Sequence, residues 1–248
     1  GRVHDDVLGR SFQQDIAAAS VRFDNPPHTT GSPTASSIIL VTPDAARSMN
    51  TYLGACIEFQ PDDIREDNVA AAKIIYLEGY LFDAPAGPDI FARAADLAAR
   101  SDTKISLSLS DPWCAERHRA ALSLFIRDHV DILFANEDEV ASLGDCALDH
   151  AIDMVRGWVS ELVVTRGPKG ALVAADGESH EVEAMPQGPV IDTTGAGDLF
   201  ASGYLYGRTN GYGLRESGVI ASLAAGEVIS HIGARPQADL VALVASQI

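Results

Sequence analysis

The chain has 248 residues, of which 46% are hydrophobic and 21% charged, the balance of a globular domain with enough length for a full core. Eighteen Lys and Arg against 35 Asp and Glu give a net charge of −17. That field repels nucleic-acid backbones and anionic membrane surfaces, so an anionic ligand would need local help from backbone N–H groups or a cation.

Leu8, Phe12 and Ile16 recur every fourth residue, which predicts an amphipathic helix over 5–19. The stretch "NPPHTTGSPTASS" is rich in Pro, Ser and Thr and reads as a loop. "SIILVT" and "RSMNTYLGA" read as two strands joined by a turn at Pro43-Asp44. Pro61 suits the first turn of a helix over 61–71. Beyond it, strand and helix patterns alternate. "KIIYL", "KISLSL", "DILFA" and "ELVVT" read as strands. "PDIFARAADLAAR", "ERHRAALSLFIRDH", "NEDEVASL" and "DHAIDMVRGW" read as the helices among them. "KGALVAA" and "SHEVEA" add two strands, and the chain after Thr194 is largely helical.

This alternation predicts an α/β fold with a mostly parallel sheet. The segment 21–57 interrupts it and reads as a small β appendage or lid. Ligands of such sheets gather at the carboxyl ends of strands. Three polar clusters fall at such places: "NEDE" after "DILFA", "TRGPKG" after "ELVVT", and "DTTGAGD" after Val190-Ile191. Cys56, Cys114 and Cys146 are far apart and odd in number, which points to free thiols in a reducing compartment. With no signal-peptide pattern and no apolar run of about 18 residues, the cytoplasm is the expected location.

Each cluster has a bland reading and a chemical one. Glycines ahead of a helix let N–H groups converge on an anion, and an acid there can accept a proton from an attacking hydroxyl. Asp198 on its own could merely complement the helix dipole, worth about 0.3–1 kcal/mol. The preceding Gly195-Ala196-Gly197 and the threonine pair before it favour chemistry. Asn136 and Glu139 have the spacing of a capping box, and Glu139 could in addition face a phosphate-bound Mg²⁺ through water. Thr165-Arg166-Gly167-Pro168-Lys169-Gly170 is either a tight turn or a nucleotide-lining one. The Rossmann pattern fails at Phe200, and the chain holds no G-x-x-x-x-G-K-[ST], so ATP would not bind through a P-loop.

"DTTGAGD" followed by an apolar helix resembles the C-terminal signature of the ribokinase-like family, the PfkB carbohydrate kinases. Asn136 with Glu139, and Thr165 with Gly167 and Gly170, match its N-x-x-E and T-x-G-x-x-G motifs in the right order. "GRVHDDVLG" is similar to its G-x-V-G-x-D-x-x-G stretch, with His4 in place of the second glycine. "YLEGYLFD" and "GEVISHIGARP" are similar to the adenosine-kinase-like branch.

The resemblance implies a three-layer α/β/α fold, with the core at 1–20 and 58–248 and a β lid at 21–57 that often serves in homodimerisation. It implies an ATP-dependent kinase acting on a hydroxymethyl group of a sugar or nucleoside. Adenosine kinase specifically, or a non-catalytic binder of the same fold, are the alternatives. By position, Asp198 corresponds to the catalytic base and Gly195, Ala196 and Gly197 to the anion hole. Asn136 and Glu139 correspond to the Mg²⁺–phosphate motif, and Thr165, Gly167 and Gly170 to the ATP-contacting turn. Asp192 and Thr194 correspond to residues holding a monovalent cation, often K⁺. The family's first strand, its substrate-binding Asp and its Gly-Gly motif have no counterpart in this sequence, which points to an incomplete chain. The identity of the sugar or nucleoside is therefore not encoded in these residues.

Overall fold

A computed structural model describes residues 1–247. They divide into two compact units, one of residues 1–40 and 48–104, the other of residues 41–47 and 105 onward.

The first unit begins with α1 (Val7–Ala18), whose start is set by Asp6. The Asp6 carboxylate accepts from the N–H groups of Gly9 and Thr34, each at 2.8 Å. The Thr34 bond, then the Gly9 bond, hold its carboxyl down at about 2. This is the N-cap chemistry of a short polar side chain at an extended backbone position. Strands β1 (Ser36–Val41) and β2 (Arg47–Tyr52) form a separate two-stranded sheet. Ile38, Leu40, Met49 and Tyr52 are each at least half exposed on it.

The helix expected over 61–71 is interrupted: a 3₁₀ turn at Pro61–Asp63 precedes α2 (Glu66–Ala70). Asp63 caps that turn by accepting from the Gln60 N–H at 2.8 Å, which closes it before the α-helix starts. β3 (Ile74–Glu78) and α3 (Gly87–Ser101) follow. Phe91 of α3 stacks edge-on with Phe82 at 4.3 Å between ring centres. Tyr80 and Trp113 are 55% and 69% exposed.

The second unit opens with β4 (Lys104–Ser108), α4 (Pro112–Arg117) and α5 (Arg119–His129). The single helix expected there is two, because Asp111 caps α4 early and the chain turns at His118. Next come β5 (Ile132–Asn136), α6 (Glu137–Gly144), α7 (Leu148–Arg156) and β6 (Glu161–Thr165). β7 (Ala171–Ala175), β8 (Glu178–Val182), α8 (Ala196–Thr209), α9 (Leu214–Val228) and α10 (Leu240–Ala245) complete it.

Within this unit β4 to β8 lie in chain order in one sheet. β4, β5 and β6 run parallel, then β7 and β8 turn back as antiparallel hairpins. The β7–β8 turn is Asp176-Gly177, both at positive φ (50° and 82°), as a two-residue hairpin requires. Leu107, Leu133, Leu162 and Val163 have no exposed surface, the near-continuous apolar pattern of strands buried on both faces.

Helices α8 and α9 pack closely through small residues, with Gly203 and Gly207 of α8 against Ala221 and Ser217 of α9. A buried acid ties α8 to the sheet. Glu161, at the start of β6, accepts from the Tyr204 hydroxyl at 2.7 Å and from Arg208 Nη2 at 2.8 Å and Nε at 3.0 Å. Burial, then the Glu161 charge, push the Tyr204 hydroxyl far above the ordinary tyrosine range. Removing the acid leaves a phenol and a guanidinium without their partner. We expect Glu161→Leu to lower the unfolding free energy in urea by about 3 kcal/mol.

Candidate active site

β5 and β6 run side by side with Asn136 opposite Thr165, so the two loops that leave their carboxyl ends start next to each other. At the first, Asn136 and Glu139 form a full capping box. The Asn136 side-chain Oδ1 accepts from the Glu139 N–H at 2.9 Å, and Glu139 Oε2 accepts from the Asn136 N–H at 2.9 Å. Asn136 Nδ2 also donates to Glu139 Oε1 at 2.8 Å. The capping-box reading of this motif is therefore realised.

At the second loop, the Arg166 N–H donates to the Gly170 carbonyl at 2.8 Å and the Gly170 N–H to the Gly167 carbonyl at 3.0 Å. Gly170 sits at φ +87°, and a Cβ there would lie 1.9 Å from the Val182 carbonyl oxygen, so no other residue fits. The cations of this loop are occupied. Lys169 pairs with Glu137 at 3.3 Å, and Arg166 with Glu181 at 2.7 Å.

Residues leading into α8 are an extended connection rather than the strand expected at Val190-Ile191. The Ile191 N–H donates to the Ile229 carbonyl at 2.8 Å, so a loop from α9 takes the place of a neighbouring strand. Asp192 is 2% exposed. Its Oδ1 accepts from the Thr194 N–H at 2.9 Å and hydroxyl at 2.6 Å, and its Oδ2 from the Gly233 N–H at 3.0 Å. Burial alone pushes this carboxyl up. The Thr194 and Gly233 bonds, with the Arg47 charge nearby, outweigh it and hold the group below the usual aspartate range.

Gly195 is the N-cap of α8 at φ +82°, and a Cβ on it would meet Ala234 Cβ at 2.9 Å. The Ala196 N–H turns back to the Thr193 carbonyl at 3.3 Å, and the Leu199 N–H closes the first helical bond to Gly195 at 2.9 Å. Between them, Gly197 and Asp198 present first-turn N–H groups of the kind a helix start leaves for an anion. Asp198 is the third helical residue and is exposed. No hydrogen bond to its carboxylate occurs among the described residues.

Beside this turn lies a cavity of about 630 Å³, the size of a small-molecule site. Thr165, Gly167 and Gly170 line it, as do Ala196 and Gly197, so the structure brings these motifs to one space. Asn136, Glu139, Asp192, Thr194, Gly195 and Asp198 are not on its wall; they shape or flank it. The rest is mostly apolar, with Met185, Pro186, Phe200, Ala225 and Ile229 among the lining residues. Phe200 and Ile229 fall in stretches that the sequence singles out, whereas Met185, Pro186 and Ala225 had no recognisable signal there. Nor did Arg47, whose Nη1 donates to the Thr193 hydroxyl at 2.5 Å. Thr193 itself lines the cavity, so a cation stands at its edge.

The profile of the pfkB family carbohydrate kinases matches residues 1–239. The chain belongs to that family. It is 40% identical to the adenosine kinase of Sinorhizobium meliloti, a solved structure, with a TM-score of 0.96 over 100% of this chain and 76% of that one. A probable sugar kinase protein from Rhizobium etli CFN 42 is 41% identical, with a TM-score of 0.95 over 99% of this chain and 75% of that one. The adenosine kinase of Schizosaccharomyces pombe is 26% identical over 196 residues, 71% of this chain and 57% of that protein's length. The chain thus spans just over half of that relative. The fold is ribokinase-like, and within the pfkB family the chain stands on the adenosine-kinase-like side.

Because folding lowers the Asp192 carboxyl, its contribution to stability is fully present above the ordinary aspartate range and is lost as pH falls through the folded value. We expect the stability–pH curve of Asp192→Asn, taken from urea midpoints, to be flatter than wild type below about pH 4.

Proposed function

We propose that this pfkB protein transfers the γ-phosphoryl group of ATP to a hydroxymethyl group of a nucleoside or sugar, with adenosine as the first candidate acceptor. The observation that carries this reading is the start of α8. There an exposed carboxylate with no protein partner among the described residues, Asp198, sits on the same helical turn as the N–H groups that border a largely apolar cavity. The cavity suits a nucleotide base and ribose, and the turn suits the phosphate end. The names of the similar kinases support the acceptor class.

In this scheme the N–H groups of Gly197 and Asp198, with Gly195 and Ala196 shaping the turn, hold the moving phosphoryl group. Contacts of this kind are worth about 2.7–4 kcal/mol each where they have been removed from other enzymes. Asp198 orients the acceptor hydroxyl and takes its proton late, as a loose transition state permits. Thr165, Gly167 and Gly170 line the nucleotide. Arg47 supplies positive charge at the cavity edge of a protein whose net charge is −17.

The donors present fit a metal in limited ways. Each oxygen of Glu139 accepts one bond from Asn136, and Glu139 would hold Mg²⁺ through water, since that ion keeps several of its waters. Mg²⁺ carried with ATP supplies neutralisation of the phosphate charge. Asp192 has three of about four acceptor sites filled, leaving one for a monovalent cation such as K⁺, with Thr194 beside it. Residues 21–57 serve as the lid over the acceptor, and the exposed apolar residues of β1 and β2 support pairing of two copies there.

The deciding measurement is ATP consumption over a panel of nucleosides and sugars. Consumption with adenosine supports the reading; a thermal shift with ATP but turnover of no acceptor would make the protein a binder. Asp198→Asn should lower kcat about a thousandfold and leave the ATP-induced thermal shift intact. Arg47→Ala should reduce kcat/KM for ATP by about tenfold, since the positive charge at the cavity edge and its bond to Thr193 are lost.

A further inference from the structure

Helix α9 carries a buried acid that the scheme above does not use. Glu227 is 4% exposed, although its neighbours Ala225, Gly226 and Ile229 line the cavity and it does not. Its Oε1 accepts from the N–H groups of Gln237 at 2.9 Å and Ala238 at 2.8 Å. His231 Nε2 lies 3.3 Å from the same oxygen. Oε2 is buried with no hydrogen-bond partner among the described residues. A carboxylate is costly in such a place, and an apolar residue of α9 would not carry that cost.

The acid grips one end of the loop 229–238. The other end of the same loop holds the phosphate turn. The Ile229 carbonyl accepts from the Ile191 N–H at 2.8 Å, and the Gly233 N–H donates to Asp192 at 3.0 Å. Ala234 stands where a side chain on Gly195 would be, which fixes how closely the turn approaches the loop. If the grip at residues 237 and 238 is released, Gly233 and Ala234 lose their support from that side.

We propose that Glu227 is a positioning residue for phosphoryl transfer. It fixes the loop 229–238, and through Gly233 and Ala234 that loop sets Asp192 and Gly195, and with them the first turn of α8. This rests on the reading of that turn as the phosphoryl-transfer site. Glu227 touches neither the cavity nor Asp198, so its effect is on geometry and should fall on kcat more than on binding of ATP.

The test compares wild type, Glu227→Ala and Glu227→Gln by steady-state kinetics and by amide hydrogen exchange. Glu227→Ala should lower kcat about tenfold or more while KM for ATP changes less than about threefold. It should also speed exchange of the amides at residues 192–198, a readout that does not depend on turnover. Gln keeps an acceptor for the two N–H groups and should recover most of both changes. Unchanged exchange at 192–198 in a folded Glu227→Ala would overturn the proposal, as would a kcat within threefold of wild type. Should Glu227→Ala not fold, Ala238→Pro removes one of the two donors without touching the acid, and the same two readouts apply. Wild-type protein that turns over no acceptor refutes the kinase reading instead, while the exchange measurement still decides the grip.

Discussion

The carboxylate of Asp192 sets the geometry of the whole site. It is buried, yet it accepts from the N–H and hydroxyl of Thr194 on one oxygen and from the N–H of Gly233 on the other. These bonds join two stretches of chain that lie 41 residues apart in sequence. The first then enters α8 through a glycine in the left-handed region, and the second packs against that glycine so tightly that no side chain fits. The direction of the first turn of α8, and of its N–H groups, follows from this junction.

Charge is arranged to the same end. In a protein with a net charge of −17, two local positive features stand beside the cavity: the start of a 14-residue helix and the guanidinium of Arg47. Other cations near the site are spent on neighbours, Lys169 on Glu137 and Arg166 on Glu181. The body of the helix is meanwhile locked by Glu161, which binds Tyr204 and Arg208 at the far side of the sheet strand. One end of α8 is therefore a rigid packed element, and the other is an open, polar turn. In the proposed transfer, that rigidity would hold the turn in one orientation.

The α/β order, most elements, and the three motif clusters were legible in the sequence. Periodicity reports burial directly, and "DTTGAGD", Asn136 with Glu139, and Thr165 with Gly170 are local patterns with fixed spacing. Where the reading failed, competition between local and distant bonds was responsible. Asp111 and Asp63 end or start helices through side-chain caps that a smooth helical pattern does not reveal. Val190-Ile191 looked like a strand but is an extended connection, because the Ile229 carbonyl rather than a neighbouring strand accepts the Ile191 N–H.

The sequence by itself determined the family, the order of the strands and helices, and which short segments could meet a phosphate. Those properties depend on residue type and on spacing of a few positions. Only the tertiary structure decided which residues close the site. Arg47 reaches Thr193 across 146 positions, Glu227 meets Gln237 and Ala238, and Met185, Pro186 and Ile229 become cavity wall. Glu227 and Ile229 fall within "GEVISHIGARP", but none of these contacts has a local signature, because each is defined by a partner that folding alone brings into contact.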